Sequence, residues 1–354
     1  MGAGGRSNPP SDLNVKKPDR GVMKRAPTSK PPFTLADLKK AIPPHCFQRS
    51  TIRSFSYLAA DLTAALVLYY IATTYLPHPV HYLAWPLYWL LEGCVFMVLW
   101  LITHECGHHA FTDHVWLEDT IGFILHSFLM TPYFSSKISH RRHHANTGSL
   151  EHDEVYVPKT RSKLDASAFY LDNPVGRTLT RLVKLTLGYN ERVLILLSDI
   201  GLLSFSFLLY NVAMVQGFAW VFIVYRGALM VMNAFLVTIT YLHHTHPSLP
   251  HYDDSEWNWM KGAFATIDRD YGVLNKVFHN ITDTHVLHHL FSYIPHYHAM
   301  EATKAIRPIM GEFYQCDRTP FLVALWRESK NCLFIEPDES DEKNKGIYWY
   351  SSKY

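Results

Sequence analysis

Three short stretches of this sequence carry histidines at spacings that suit metal ligation. His104-Glu105-Cys106-Gly107-His108-His109, His140-Arg141-Arg142-His143-His144 and His285-Val286-Leu287-His288-His289 hold nine of the chain's 22 histidines. On a helix, residues three and four apart share one face, with Cβ atoms roughly 5–6 Å apart. Each stretch can therefore turn two or three imidazoles toward one point. A looser fourth group, His243, His244 and His246, follows a long apolar run. A lone histidine is ordinarily a structural residue, but three clusters with helical ligand spacing read as a metal site. Imidazole serves Fe, Zn, Cu and Ni. Eight or more imidazoles exceed the needs of one tetrahedral zinc, yet they fit two metals sharing a site. Two redox-capable irons are the leading expectation.

Two rival chemistries can be weighed on the same residues. His104-Glu105-x-x-His108 is also the spacing of a zinc metalloprotease, in which Glu105 would be the general base. That reading leaves the other two clusters without a role. A metal-ion carrier is the second rival. It would want ionisable groups through its membrane spans, whereas these histidines sit at or beyond the span ends.

The elements that must position these groups are apolar and long. Residues 55–76, 82–103, 193–215 and 218–241 each read as a helix able to cross a ~30 Å hydrocarbon core. Residues 120–134 are apolar but too short to span alone, and read as an interfacial or re-entrant segment. The expected fold is an all-α membrane protein: four main transmembrane helices, an interfacial or re-entrant hairpin and a cytosolic His-rich helical cap. Within the spans, Asp61 and Asp199 are expected to face the bundle interior, with Arg226 snorkelling or paired to one of them. Residues 1–53 carry eleven Lys or Arg against three Asp. They read as a basic cytosolic arm, mobile to about Lys30, with a short surface helix from Thr34 to Ala41. The links between paired spans lack Lys and Arg, so both termini and all three histidine clusters are expected on the cytosolic side. Five cysteines are too few and odd in number for a disulfide framework, which implies a reducing compartment. The net charge of +2 is unremarkable, and no basic stretch has the aromatic interleaving of a nucleic-acid binder. The tail Tyr350-Ser351-Ser352-Lys353-Tyr354 has the form of an endoplasmic-reticulum retrieval signal.

Placement selects among the chemistries. His104 begins where the second span ends and His246 begins just past the fourth, so the metals are expected at the mouth of the bundle. A lipid acyl chain can reach them there from the interface. Oxidation of an unactivated C–H bond needs metal and O2 chemistry.

The order HECGHH, HRRHH and HVLHH is one part of a wider pattern. Asp253-Asp254-Ser255-Glu256-Trp257-Asn258-Trp259, Asp268-Arg269-Asp270-Tyr271-Gly272 and Pro295-His296-Tyr297-His298-Ala299 are another. From about Pro31 to the end of the chain, this pattern resembles the plant microsomal delta-12 oleate desaturase family. The resemblance implies a di-iron oxidoreductase of the endoplasmic-reticulum membrane with O2 as co-substrate. It implies a double bond introduced near carbon 12 of an oleoyl-type chain on a phospholipid. Electrons would come from cytochrome b5 and its NADH-dependent reductase, and a homo- or hetero-oligomer is compatible. Implied metal ligands are His104, His108, His140, His143, His144, His285, His288 and His289, with no catalytic residue beyond them. His109 is the weaker member of its cluster because i+5 leaves the face. His246, with His243, is the candidate for a ligand outside the clusters. Asp153 and Glu154 are candidates to orient ligand imidazoles, and His279, His296 and His298 are read as supporting residues. The domain division that follows is an arm over 1–53, a membrane desaturase domain over 54–345 and a tail over 346–354.

The chain departs from the family's usual pattern at positions beside the presumed metals. Thr103 stands where the family usually has Ala, and the bulkier Leu287 replaces a usual Ala between the histidines of the third cluster. Phe291-Ser292-Tyr293-Ile294-Pro295 resembles the acetylenase and conjugase branch, which makes triple or conjugated double bonds from linoleate. Thr103 and Leu287 are therefore read as shaping the substrate site. After Leu185-Thr186-Leu187-Gly188 the family usually continues through a Pro- and aromatic-rich segment that is missing here.

Overall fold

The structure, a computed structural model, describes residues 24–76, 83–160, 189–338 and 345–352. Helix α1, Leu35–Ala41, opens on a reciprocal cap. Thr34 accepts from the Asp37 backbone N–H while the Asp37 carboxylate accepts from that of Thr34. A 3₁₀ turn, Pro44–Phe47, leads into α2, Thr51–Tyr75. There follow α3, Trp85–Gly107, and α4, Val115–Phe128. Helix α5, Tyr133–Asn146, packs back on α4 as a hairpin, where the apolar run 120–134 had been read as lying in or re-entering the interface. Helix α6 spans Tyr189–Gln216. Helix α7, Phe218–His244, is interrupted by a π turn at Phe222–Arg226. The widened turn has a cause: Tyr88 Oη and Trp89 Nε1 of α3 donate to the carbonyls of Val224 and Ile223 at 2.8 and 2.6 Å.

Among the described residues, four helices are long and apolar enough to cross a membrane: Thr51–Tyr75, Trp85–Gly107, Glu191–Gln216 and Phe218–His244. They match the four expected spans, with each expected end shifted by up to four residues. Helix α3 is the hub and packs on α2, α4 and α7. It buries Phe96, Met97, Val98, Leu99 and Ile102 in the largest apolar cluster. Gly93 permits a close approach of α3 to α7, because a Cβ there would lie 2.6 Å from the Val231 side chain and 2.9 Å from the Ala228 carbonyl oxygen. Helices α2 and α6 instead present Leu66, Tyr70, Leu203 and Phe207 outward, an apolar surface of the kind that faces lipid.

Beyond α7 lie α8, His285–Leu290, α9, His296–Met310, and α10, Phe321–Asn331. The expectation of an all-α chain is corrected here. Strands β1, Pro250–Tyr252, β4, Phe334–Pro337, and β5, Ile347–Ser351, form an antiparallel sheet in the order β1-β5-β4. Strands β2, Asp268–Arg269, and β3, Cys316–Asp317, pair in parallel. Ile347-Tyr348-Trp349-Tyr350 is the β-branched and aromatic composition that a half-buried strand favours, and Ile347 and Trp349 are buried. Two residues of the proposed retrieval signal, Tyr350 and Ser351, thus belong to a strand, while Lys353 and Tyr354 lie outside the described residues.

Most of the expected mobile arm, 1–23, also lies outside them. From Lys24 onward the segment is packed: Ala26 N donates to Ser248 O at 2.9 Å. Phe33, Leu38, Ile42 and Cys46 enter a second apolar cluster with α8 and α9. Of the ionisable span residues, Asp61 does face a partner, His279 Nε2 at 3.6 Å. Asp199 and Arg226 are exposed, contrary to the interior placement expected of Asp199. Its neighbour Ser198 takes the inward face, accepting from Phe134 N at 2.9 Å, and one residue further turns ~100° around the helix. The five cysteines are free.

Candidate metal centre

Four helices end at or cross one buried point. Helix α3 brings His104 and, at its end, His108; α5 brings His140, His143 and His144; α8 brings His285, His288 and His289. The last residue of α7, His244, arrives from the fourth side. These imidazoles form two adjoining nests. In the first, one nitrogen each of His104, His108, His140 and His288 lie within 4.8 Å of one another. His104 Nε2 is 3.1 Å from His288 Nε2, and His140 Nε2 is 2.9 Å from His144 Nε2. In the second, His143, His244 and His289 satisfy the same 4.8 Å limit. His285 Nε2 lies 3.1 Å from the Nε2 of both His244 and His289. The rings of His144 and His289 stack at 4.1 Å and join the nests.

The tautomers follow from what the outer nitrogens touch. Asp153 Oδ1 and Oδ2 accept from His143 Nδ1 at 3.0 and 3.1 Å. That leaves the His143 Nε2 lone pair aimed at His244 Nε2, 3.3 Å away. Thr147 Oγ1 donates to His143 O at 2.7 Å, so toward His289 Nδ1, at 3.2 Å, it can only accept. His289 likewise turns a bare Nε2 inward. His108 Nε2 is buried with no hydrogen-bond partner among the described residues. The inward lone pairs of His143 and His289 and the unpartnered His108 Nε2 are what bound cations would satisfy. Protonation cannot relieve the crowding. Burial, reinforced by neighbouring imidazoles, holds His140, His144, His285, His288 and His289 well below the usual imidazole range. Burial likewise pushes His108 down to about 3. Neutral imidazole is the form that binds metal.

All eight histidines named as ligands from the sequence converge here, and the two lesser candidates do not. His109 is turned out by a positive φ of 58°. Its Nδ1 meets the buried Glu118 carboxylate, which also accepts from Phe111 N and Thr112 N at 3.0 and 2.9 Å. It therefore serves the turn after α3. His246 lies past the end of α7, its Nδ1 2.6 Å from Ser248 Oγ. The carboxylates near it, Asp317 and Glu328, are neutralised by Arg269 at 2.8 and 2.6 Å and by Arg327, so guanidinium groups stand where an ion would. His243 is held by the carbonyls of Ile239 and Thr282 at 2.7 and 2.9 Å.

His244 is the member that sequence reasoning missed. The helix end is the reason: α7 runs on through His244, whereas Thr245 is extended at φ −124°, so His244 and not His246 shares the helical face, and no residue type between His243 and His246 marks that boundary. Of the two orienting carboxylates considered, Asp153 touches a nest histidine and Glu154 pairs with Arg142 at 3.2 Å.

A largely apolar pocket opens beside the first nest: Leu101, Ile102, Phe278, Leu287, Phe291 and Ile294 line it together with His104 and His288. Leu287 is thus on the pocket wall. Thr103 is not; its hydroxyl donates to Trp100 O at 2.8 Å within its own helix. Glu105 reaches the pocket edge, where its carboxylate accepts from His296 N and Nδ1 at 2.5 and 2.7 Å. A zinc protease needs that carboxylate free for a metal-bound water, and here it is engaged.

Comparison with known proteins agrees with this arrangement. The fatty acid desaturase family model matches residues 81–319, and a model for a domain of unknown function matches residues 11–70. A Vernicia fordii protein named Delta(12)-fatty-acid desaturase FAD2 is 56% identical over 386 positions, covering 100% of both chains. A Brassica juncea protein named omega-6 fatty acid desaturase, endoplasmic reticulum, is 55% identical with the same full coverage. The Vernicia fordii bifunctional desaturase/conjugase FADX is 51% identical, again over both whole chains. These alignments run over some thirty more positions than the 354 residues present here, in keeping with a segment missing from this chain. The junction read from the sequence, Leu185 to Gly188, lies outside the described residues.

Proposed function

Because this chain belongs to the fatty acid desaturase family, we propose that it is a membrane oxidoreductase that introduces a double bond near carbon 12 of an oleoyl-type chain. The observation that carries this reading is the largely apolar pocket beside a nest of neutral imidazoles. Two Fe ions fit the donors: His104, His108, His140, His144 and His288 for one, His143, His244, His285 and His289 for the other. When bound, they supply with O2 the oxidation of an unactivated C–H bond, which side chains alone cannot perform.

The protein's own contribution is placement and dryness. Leu101, Ile102, Phe278 and Phe291 hold the methylenes by apolar contact and exclude water from the reacting carbons. Leu287, between His285 and His288, sets how far the chain advances, where an error of about 1 Å can cost ~10²-fold in rate. Asp153 and Thr147 keep the inner nitrogens of His143 and His289 deprotonated. The Glu105–His296 pair ties the end of α3 to the start of α9 and closes the pocket's polar edge.

The acyl group is read as phospholipid-linked, delivered from the bilayer at the mouth of the bundle. The enzyme is placed in the endoplasmic-reticulum membrane with cap and termini cytosolic, where cytochrome b5 and its NADH-dependent reductase supply electrons. The charge distribution along the chain supports that orientation, and the printed name of the Brassica relative supports the compartment.

Expression in yeast supplied with oleate tests the function. A new diene with its second double bond at carbon 12 is expected, and it should vanish in His143→Ala and His288→Ala. Leu287 on the pocket wall and the kinship to a desaturase/conjugase favour one second reading. A linoleate-fed culture that yields a conjugated triene or triple bond, without diene from oleate, would replace the first reading by that one.

A further inference from the structure

A second cluster of metal-ligating side chains lies apart from the two nests. The 3₁₀ turn Pro44–Phe47 carries His45 and Cys46, and the first turns of α9 carry His298 and Glu301. One ligand atom from each lies within 4.8 Å of all the others. His45 Nε2 is 3.0 Å from Glu301 Oε2 and 3.7 Å from Cys46 Sγ. The His45 and His298 rings meet edge to face at 5.3 Å. The thiol is fully buried, whereas His45 and Glu301 are exposed, so an ion has both an anchored ligand and an entry path.

We propose that His45, Cys46, His298 and Glu301 form a structural zinc site that fastens the segment before α2 to helix α9. Two imidazoles, a thiolate and a carboxylate are four ligands of the types zinc takes tetrahedrally, at ~2.0–2.3 Å. The set is closed, leaving no position for a substrate, which marks a structural site. Two features prepare it. His298 and Glu301 are three apart on one helical face, and Pro43-Pro44 stiffens the turn that presents His45 and Cys46. The bare alternative is an exposed His45–Glu301 ion pair, worth little by itself, with the Cys46 thiol as a neighbour buried in the second apolar cluster. Without an ion, burial and the Glu301 carboxylate push the Cys46 thiol up to about 11; a divalent cation reverses that balance and draws out the thiolate. The consequence is mechanical. Ala299 of the same helix lines the acyl pocket, and Phe47, next to Cys46, stacks on Tyr293 at 5.9 Å. Zinc would therefore hold the outer wall of the pocket.

The test uses the full chain purified in detergent and loaded with Co²⁺ as a spectroscopic probe. Four other free cysteines are present, so a thiolate-to-cobalt charge-transfer band reports this cluster when it depends on Cys46. The band is expected in the wild type and in His143→Ala, displaced by one equivalent of Zn²⁺, and absent from Cys46→Ala. Glu301→Gln, at an exposed position that should not disturb folding, is expected to weaken zinc binding at least tenfold. The proposal fails if no band forms, if the band survives Cys46→Ala, or if Glu301→Gln binds zinc as tightly as the wild type.

Discussion

At the scale of single residues, two small contacts decide what the imidazoles can do. Asp153 and Thr147 touch the outer nitrogens of His143 and His289, and in so doing turn lone pairs toward the second nest. Replacing Asp153 by Asn should weaken metal binding by ~10–100-fold, the usual scale for such outer partners. Iron per chain, titrated against a competing chelator, checks it. His244→Ala should lose iron and diene formation as fully as His143→Ala, while His246→Ala keeps its iron; equal losses at His244 and His246 would contradict the assignment. Leu287→Ala removes a fully buried wall residue. It should cost about 2–5 kcal/mol of stability and shift the position or kind of unsaturation, read by fatty-acid analysis. The histidine triplets were legible because helical spacing is a local property. His244 was not, since its neighbours His243 and His246 are of the same type, and only the direction of α7's last turn separates them.

Among the elements, the long apolar runs declared themselves, because a membrane span needs only length and composition. Their packing did not. The close approach of α3 and α7 depends on Gly93, and these two helices deliver His104 and His244. Gly93→Ala should overpack the crossing and cost about 1–3 kcal/mol, seen as a lower melting temperature in detergent. The end of α7 is secured by a fully buried guanidinium: Arg269 donates to the carbonyls of Leu242 and Thr245 at 2.7 and 3.1 Å and pairs with Glu328 and Asp317. Arg269→Met should cost about 3–5 kcal/mol and reduce iron content together with stability. In sequence, Arg269 is one arginine among many, and its carboxylate partners lie about fifty residues away. The small sheet escaped notice for the same reason. Strand β1 is three residues long, too short for a period to show, and pairs with a segment near the end of the chain.

For the molecule as a whole, the nests gather nine desolvated imidazoles, and ligands of that kind are expected to make the metal-free protein the less stable form. Removal of iron with a chelator should lower the melting temperature, and Fe²⁺ at about a hundred times its dissociation constant should restore about 2.7 kcal/mol. Topology has its own test: the sequon Asn280-Ile281-Thr282 stands just before α8 and should remain unglycosylated in microsomes if the cap is cytosolic.

The sequence by itself determined the three histidine triplets and the four apolar spans, because spacing and composition act over a few helical turns. Only the tertiary structure decided which histidines meet, that Leu287 and not Thr103 faces the pocket, and that Glu105 is engaged with His296. Those outcomes depend on helices brought together from distant parts of the chain, where a turn of ~100° per residue moves a side chain from the site to the lipid.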